Sequence, residues 1–161
     1  MKGVEIMKKG LFCLLGLFFV AVTVQANPQF GITGASDGGA GLTAVGNQYS
    51  ASILYSIINN RGGVDEDQSA IEFNAKYKIA LDAKTKATVG ARHLLIELKT
   101  TDDDDSDENS KTALTAGVEH RLSECLLVFA ETDVYSVQTI DDGDEETSVF
   151  TSARVGVSVL F

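Results

Sequence analysis

The chain has 161 residues, a formal net charge of −10 at neutral pH, one proline and no tryptophan. Its 13 Lys and Arg stand against 23 Asp and Glu, which argues against nucleic-acid binding, because phosphate contacts need clustered basic side chains. Of the two cysteines, Cys13 falls in an apolar N-terminal stretch and only Cys125 lies beyond it. With that stretch removed as a leader, one cysteine remains, which excludes an intramolecular disulfide framework.

Residues 1–26 have the pattern of a secretory signal peptide. Lys8 and Lys9 supply a positive start, residues 11–24 form an apolar run without charge, and the sequence VQA at 24–26 is a small-residue cleavage signal. The run is shorter than the roughly 20 residues that a membrane-spanning helix needs. We therefore predict export, cleavage after Ala26 and a single domain over residues 27–161.

Beyond the leader, apolar and polar residues alternate with a period of two, which predicts β-strands and no helix. The clearest segment is 70–81, where the odd positions are apolar and the even positions are mostly polar. Residues 86–99 alternate less cleanly, because Arg92 shares a parity with Leu94 and Ile96, and this suggests a bulge. The predicted strands lie near residues 29–36, 40–46, 48–58, 70–81, 86–99, 111–122, 126–139 and 148–161.

The connections between these eight strands are of two kinds. The even-numbered ones are short, at residues 46–47, 82–86 and 123–125. The first odd-numbered one is a tight Asp-Gly-Gly turn at 37–39, and the other three are long and acidic, at 59–69, 100–111 and 140–148. The acidic residues of these three segments are Asp65, Glu66, Asp67, Asp102, Asp103, Asp104, Asp105, Asp107, Glu108, Asp141, Asp142, Asp144, Glu145 and Glu146.

This alternation predicts an up-and-down arrangement in which the long loops share one end and the short turns share the other. An even number of strands brings the last strand beside the first, so that the sheet can close and lose both edges. The predicted fold is all-β, an eight-stranded antiparallel up-and-down transmembrane β-barrel. A secreted soluble ligand-binding β-barrel is the alternative, with the apolar face inside instead of outside. The predicted strands are roughly twice the 5–6 residues typical of soluble sheets, which favours the membrane barrel.

In the membrane arrangement, the charged faces of the strands point into the lumen. The predicted lumen charges are balanced, with four acidic and four basic residues: Glu72, Glu119, Glu131, Asp133, Lys76, Lys78, Arg121 and Arg154. A balanced set predicts an internal salt-bridged plug, since one sign of charge dominates in a selective pore. A last loop centred near residues 143–144 would place Asp133 directly opposite Arg154.

The sequence finishes in a strand whose alternate residues are Val155, Val157, Val159 and Phe161. A terminal Phe after alternating apolar residues resembles the C-terminal signature of bacterial outer-membrane β-barrel proteins, which the barrel-assembly machinery reads. With the leader, the eight strands and the long and short connections, residues 27–161 resemble the small OmpA/OmpX-type barrels. This resemblance implies residence in the outer membrane, contact with its lipid and lipopolysaccharide, and long loops that face the outside.

No pattern of catalytic or metal-binding residues stands out. His93 and His120 lie on adjacent predicted strands and could approach diagonally, but they lack a third ligand. The run DDDDSDEN lacks the glycine and the final glutamate of an EF-hand loop, so we expect a solvated loop, with divalent-cation bridging to lipopolysaccharide as the alternative. We predict a structural or surface-interaction protein without enzymatic activity or cofactor. A narrow channel for small or apolar solutes is the competing function.

Overall fold

The computed structural model describes residues 27–59, 66–100, 106–139 and 145–161. The predicted signal peptide (1–26) and part of the predicted acidic surface lie outside these residues. The acidic residues outside them are Asp65, Asp102, Asp103, Asp104, Asp105, Asp141, Asp142 and Asp144, and the side chains of Glu66, Asp67, Asp107 and Glu108 also lie outside the described part.

Nine strand segments are present in the described residues: β1 (Gln29–Ala35), β2 (Ala40–Val45), β3 (Tyr49–Asn59), β4 (Glu66–Ala80), β5 (Thr85–Thr100), β6 (Ser106–Arg121), β7 (Leu126–Thr139), β8 (Glu145–Val149) and β9 (Ala153–Leu160). Consecutive strands pair antiparallel from β1 to β8, and β9 pairs with both β7 and β1. Because β8 and β9 follow one another along β7, they form one strand interrupted at residues 150–152. The prediction of a closed eight-stranded barrel is confirmed.

Three strands extend further into the acidic segments than their side-chain pattern indicated. β4 begins at Glu66 instead of residue 70, β6 at Ser106 instead of residue 111, and β8 at Glu145 instead of residue 148. The ladders continue there, with Glu66 opposite Thr100 and Lys99 opposite Ser106. Backbone hydrogen bonds do not require an apolar face, so alternation marks only the part of each strand that has one.

The bulge predicted in the fifth strand is wrong. β4 and β5 pair without interruption from Glu66 opposite Thr100 to Ala80 opposite Lys86. Arg92, which is buried, and Leu94 therefore lie on the same inner face. That face changes from charged to apolar along the strand. In a sequence, a change from polar to apolar residues along one face gives the same pattern as a bulge.

A bulge does occur in β7. Leu114 of β6 pairs with Tyr135, whereas the next residue, Thr115, pairs with Asp133, which leaves Val134 as the extra residue. The insertion reverses the alternation, so that Tyr135 is exposed on the outer face although strict alternation would place it inside with Glu131.

The two faces of the wall differ in the way predicted for a membrane barrel. The exposed large side chains are apolar and cover the outside, including Ile32, Leu42, Ile53, Ile71, Ile79, Val89, Leu114, Val118, Val155 and Val157. The buried polar side chains fill the inside, including Thr33, Thr43, Asn74, Thr88, Thr115 and Ser158. This distribution is the inverse of that in a water-soluble barrel and suits a hydrocarbon environment. No helix long and apolar enough to cross a membrane occurs in the described residues.

The short turns connect the strands at one end of the barrel. Asp82 orders the turn between β4 and β5, because its carboxylate accepts hydrogen bonds from the backbone N–H groups of Lys84 and Thr85, each 2.7 Å long. These bonds lower the pKa of Asp82 below its usual value. Inside the same end, three buried apolar side chains pack together with Phe129; they are Val45, Leu127 and Leu160.

Candidate functional site: the ion-pair network of the lumen

Arg154 is the centre of a buried network of charges in the middle of the barrel. It points inward from β9, and its Nη1 and Nη2 donate to the two carboxylate oxygens of Glu72 on β4, at 2.7 and 2.6 Å. Its Nε donates to Glu131 Oε1 at 2.5 Å, and Nη1 also reaches Asp37 Oδ2 at 3.1 Å. This is the bidentate, charge-assisted geometry in which the planar guanidinium binds carboxylates most strongly.

Arg92 forms a second group around Asp133, whose side chain is almost completely buried. Its Nη2 donates to both Asp133 oxygens, at 2.6 and 2.5 Å, and to Ser152 Oγ at 2.9 Å. Ser152 Oγ donates in turn to Asp133 Oδ2 at 2.6 Å, and Lys111 Nζ lies 3.1 Å from the same oxygen. Every oxygen of this buried carboxylate therefore has a donor.

The remaining charges continue the network toward the short-turn end. Lys76 pairs with Glu131 and lies over the ring of Phe129, with Nζ 4.4 Å from the ring centroid. Lys78 Nζ lies 2.8 Å from Glu119 Oε1. Arg121, also predicted to belong to the lumen charges, instead donates to Gln29 Oε1 at 2.7 Å and to the backbone oxygen of Glu124 at 3.0 Å, apart from the ion pairs.

Three members of the network were not predicted from the sequence. Arg92 was obscured by its apolar neighbours on the same face, and Asp37 was interpreted only as a turn residue. Lys111 is the first residue of a predicted strand, and the odd parity that it shares with Ala113 and Thr115 was the available signal for an inward side chain.

The predicted opposition of Asp133 and Arg154 is wrong. Arg154 pairs with Glu131, and the backbone N–H of Asp133 donates to the oxygen of Ser152. The prediction assumed a regular hairpin about the last loop. The β7–β8 ladder is instead centred on residue 142, with Gln138 opposite Glu146, and the β7–β9 ladder only half a residue further on, so Asp133 lies opposite Ser152 and its main ion pair is with Arg92.

Gly156 leaves room for the aromatic ring in this network. A Cβ at this position would lie 2.2 Å from Phe129 Cζ and 2.5 Å from the backbone oxygen of Gly34, closer than any real contact. The ring of Phe129 therefore needs a neighbour without a side chain. Since Lys76 lies over that ring, Gly156 indirectly fixes where the Lys76 ammonium meets Glu131.

A small cavity lies inside the barrel beside these side chains. A cavity of about 30 Å³ lies between the network and the apolar end, with Thr43, Ser50, Asn74 and Lys76 among its lining residues. That volume has room for roughly two water molecules.

The comparisons with known proteins agree on the architecture. No family model and no curated protein matches the chain. Among solved structures, the N-terminal β-barrel domain of Pseudomonas aeruginosa OprF is similar at 15% identity, with a TM-score of 0.53 over 85% of this chain and 98% of that domain. The chain has the fold of the small outer-membrane β-barrels.

Two other structures with this small outer-membrane barrel fold show a weaker likeness. Neisserial surface protein A has 18% identity and a TM-score of 0.49, with 83% of this chain and 93% of that chain covered. The attachment invasion locus protein Ail of Yersinia pestis has 14% identity and a TM-score of 0.44, with 83% of this chain and 95% of that chain covered.

In this small outer-membrane barrel fold, the predicted assembly signal lies on the outer face of β9 and just beyond it. Its residues Val155, Val157, Val159 and Phe161 are all exposed, while Leu160 between them is buried at the apolar end. The backbone N–H of Phe161 donates to the oxygen of Phe30, which holds the end of the chain against β1. The side chains of the signal are therefore free to contact lipid or a partner.

The two histidines of the barrel do not meet. His93 is opposite Thr112 and bonds to its Oγ1 at 2.8 Å, whereas His120 is opposite Thr85 and bonds to its Oγ1 at 2.9 Å. Eight residue steps along β6 separate Thr112 from His120, which is about 27 Å at the rise of a strand. Within the described residues, no group of three potential metal-ligating side chains occurs.

Proposed function

We propose that the protein is a structural and surface-interaction barrel of the bacterial outer membrane, with a lumen that is closed by ion pairs and without an enzymatic step. The observation that carries the proposal is the charge balance of the network. Its acidic members Asp37, Glu72, Glu119, Glu131 and Asp133 match its basic members Lys76, Lys78, Arg92, Lys111 and Arg154 in number. In a selective pore, one sign of charge would dominate.

Conductance distinguishes this function from that of a narrow channel. The protein reconstituted in planar bilayers should show no stable openings, because Arg154 bridges carboxylates from different strands across the lumen. The double variant Glu72→Gln/Arg154→Gln, which removes both charges of the central bridge, should open more often than the wild type. Steady single-channel steps from the wild type would establish the channel function instead.

Location in the outer membrane is supported by the apolar outer face and by the exposed apolar end of β9. We expect fractionation to recover the protein in the outer membrane, with heat-modifiable migration on gels. Deletion of Phe161 should lower the amount of assembled protein without lowering its synthesis, if the barrel-assembly machinery reads that side chain. Pulse-labelling with outer-membrane recovery measures both quantities, and equal assembly of the two chains would contradict this assignment.

The orientation follows if the acidic loops face the outside, where divalent cations can bridge them to lipopolysaccharide. Cys125 is exposed in a short turn at the opposite end, and Glu146 is exposed in β8 at the loop end. A membrane-impermeant thiol reagent added to intact cells should therefore leave Cys125 unlabelled. The same reagent should label Glu146→Cys. Labelling of Cys125 in intact cells, with permeabilised cells as the control for reactivity, would show the reverse orientation.

A further inference from the structure

The wall of the barrel is much lower on one side. β1 and β2 have 7 and 6 residues, whereas β5 and β6 have 16 each. The ladder of β2 with β3 ends where Ala40 meets Tyr55, and that of β1 with β9 ends where Ala35 meets Gly156. Beyond this level, within the described residues, residues 56–59 of β3 pair only with β4, and β8 pairs only with β7.

We call the opening between residues 56–59 and β8 the lateral notch; its floor is the turn at 36–39. Two strands are absent from the wall there, so the notch spans three strand spacings, about 14 Å. At a tilt of about 40°, the seven residues of β1 cover about 18 Å of an apolar band that is about 25 Å tall in such barrels. The notch therefore begins within the band.

Exposed apolar side chains continue on both sides of the lateral notch. Ile57 on β3 is 59% exposed, and Val149 and Phe150 on the other side are 66% and 74% exposed. Next to its floor the notch thus has apolar borders, whereas Glu145 and Glu146 further along β8 are exposed, and it leads inward to the charged centre of the barrel. A partner with a hydrocarbon chain and a charged end matches both surfaces.

The floor of the lateral notch supplies the sign of that charge. Asp37 on the floor turn lies 3.1 Å from Arg154 Nη1 and 3.8 Å from Arg92 Nη1, but its side chain is 41% exposed, while those of the two arginines are buried. Without Asp37, the surrounding Arg92, Arg154, Lys76 and Lys111 outnumber Glu72, Glu131 and Asp133 by one charge. In addition, Arg92 Nε is buried without a hydrogen-bond acceptor among the described residues.

We propose that the lateral notch binds a single-chain anionic amphiphile, a long-chain carboxylate, from the outer leaflet. Its headgroup takes the place of the Asp37 carboxylate beside Arg92 and Arg154, and its hydrocarbon chain lies between β3 and β8. The site rests on the proposed membrane location but not on the closed lumen, so its test is independent of conductance.

Because the chain has no tryptophan, a single introduced indole reports on one place. Phe150→Trp places it at the border of the lateral notch, and the matched reporter Phe30→Trp places it on the outer face near the short-turn end. The variants, in phosphatidylcholine vesicles, are titrated with 9,10-dibromostearate and with its uncharged methyl ester. We expect saturable quenching of the Phe150→Trp reporter by the acid alone, and equal quenching of the Phe30→Trp reporter by acid and ester.

Asp37→Asn then tests the position of the headgroup. The amide keeps the oxygen that accepts the Gly39 N–H and removes the competing charge, so the acid should bind at least about tenfold more tightly. Glu124→Gln makes the same change of charge in an exposed turn at the other end and should leave the affinity unchanged. Equal quenching by acid and ester at the Phe150→Trp reporter would overturn the site. Unchanged affinity in Asp37→Asn, or equal tightening in Glu124→Gln, would overturn the role of Asp37.

Discussion

Replacing Arg154 with leucine should lower the free energy of unfolding by about 3–5 kcal/mol, because it leaves the buried carboxylates of Glu72 and Glu131 without their shared partner. Urea unfolding in detergent, followed by circular dichroism, measures this loss. Lys84→Ala is the control, since Lys84 is exposed in a turn and its removal should change the stability by less than about 0.5 kcal/mol. A cost below about 1 kcal/mol for Arg154→Leu, as at an exposed pair, would contradict the buried network.

Double-mutant cycles separate the two groups of the network. Arg154 and Glu72 should show a coupling energy of about 1–3 kcal/mol, because they share two hydrogen bonds. Arg154 and Asp133 should couple more weakly, since Asp133 has its own donors in Arg92 and Ser152. A stronger coupling for the second pair would support the register predicted from the sequence over the observed one.

Gly156→Ala should destabilise the barrel by about 3 kcal/mol or more, although it adds a single methyl group. The new Cβ would lie 2.2 Å from Phe129 Cζ and 2.5 Å from the Gly34 backbone oxygen. The ring has to move, and a shift of the ring also displaces Lys76 from its position beside Glu131. The same urea experiment measures the loss, together with the fraction of folded protein by heat-modifiable migration.

Gly34→Ala is the matched control for this substitution. Gly34 is on β1 opposite Val157, and its nearest neighbour to an added Cβ is the backbone oxygen of Gly39 at 4.0 Å. This variant should remain close to the wild type in stability. If both glycine variants lost the same amount, the effect would belong to glycine in a strand and not to the contact with Phe129.

The wall of the barrel could be predicted because its signal is local. In residues 70–81, the odd positions face outward and the even positions inward, as their alternation indicated. A regular strand that separates hydrocarbon from a polar interior alternates at every step, and the alternation reverses only at a bulge such as the one at Val134. The same reasoning gave the inward positions of Glu131 and Arg154.

The partners inside the lumen could not be predicted in the same way. Glu72 and Arg154 are 82 residues apart on strands that are not neighbours, and their meeting depends on the tilt and stagger of the whole barrel. The partner of Asp133 across β9 depended on where the last hairpin is centred, and the acidic segment at 140–148 does not mark that residue in the sequence. Alternation assigns a side chain to the inner or outer face of its strand. It does not tell which inward side chains of two opposite strands lie at the same level along the barrel axis.

The seam between β1 and β9 has a consequence for how the barrel forms. Ser158 Oγ donates to Thr33 Oγ1 across 125 residues of chain, and the adjacent backbone ladder joins the first strand to the last. Contacts between such distant residues incur the entropy of closing a very long loop before any of them is made, and this slows folding. Until β9 is in place, β1 presents an open edge to other chains. The folding of this protein should therefore be slow and cooperative, with closure of the seam as a late step. That step requires that β1 does not pair with another chain before β9 reaches it.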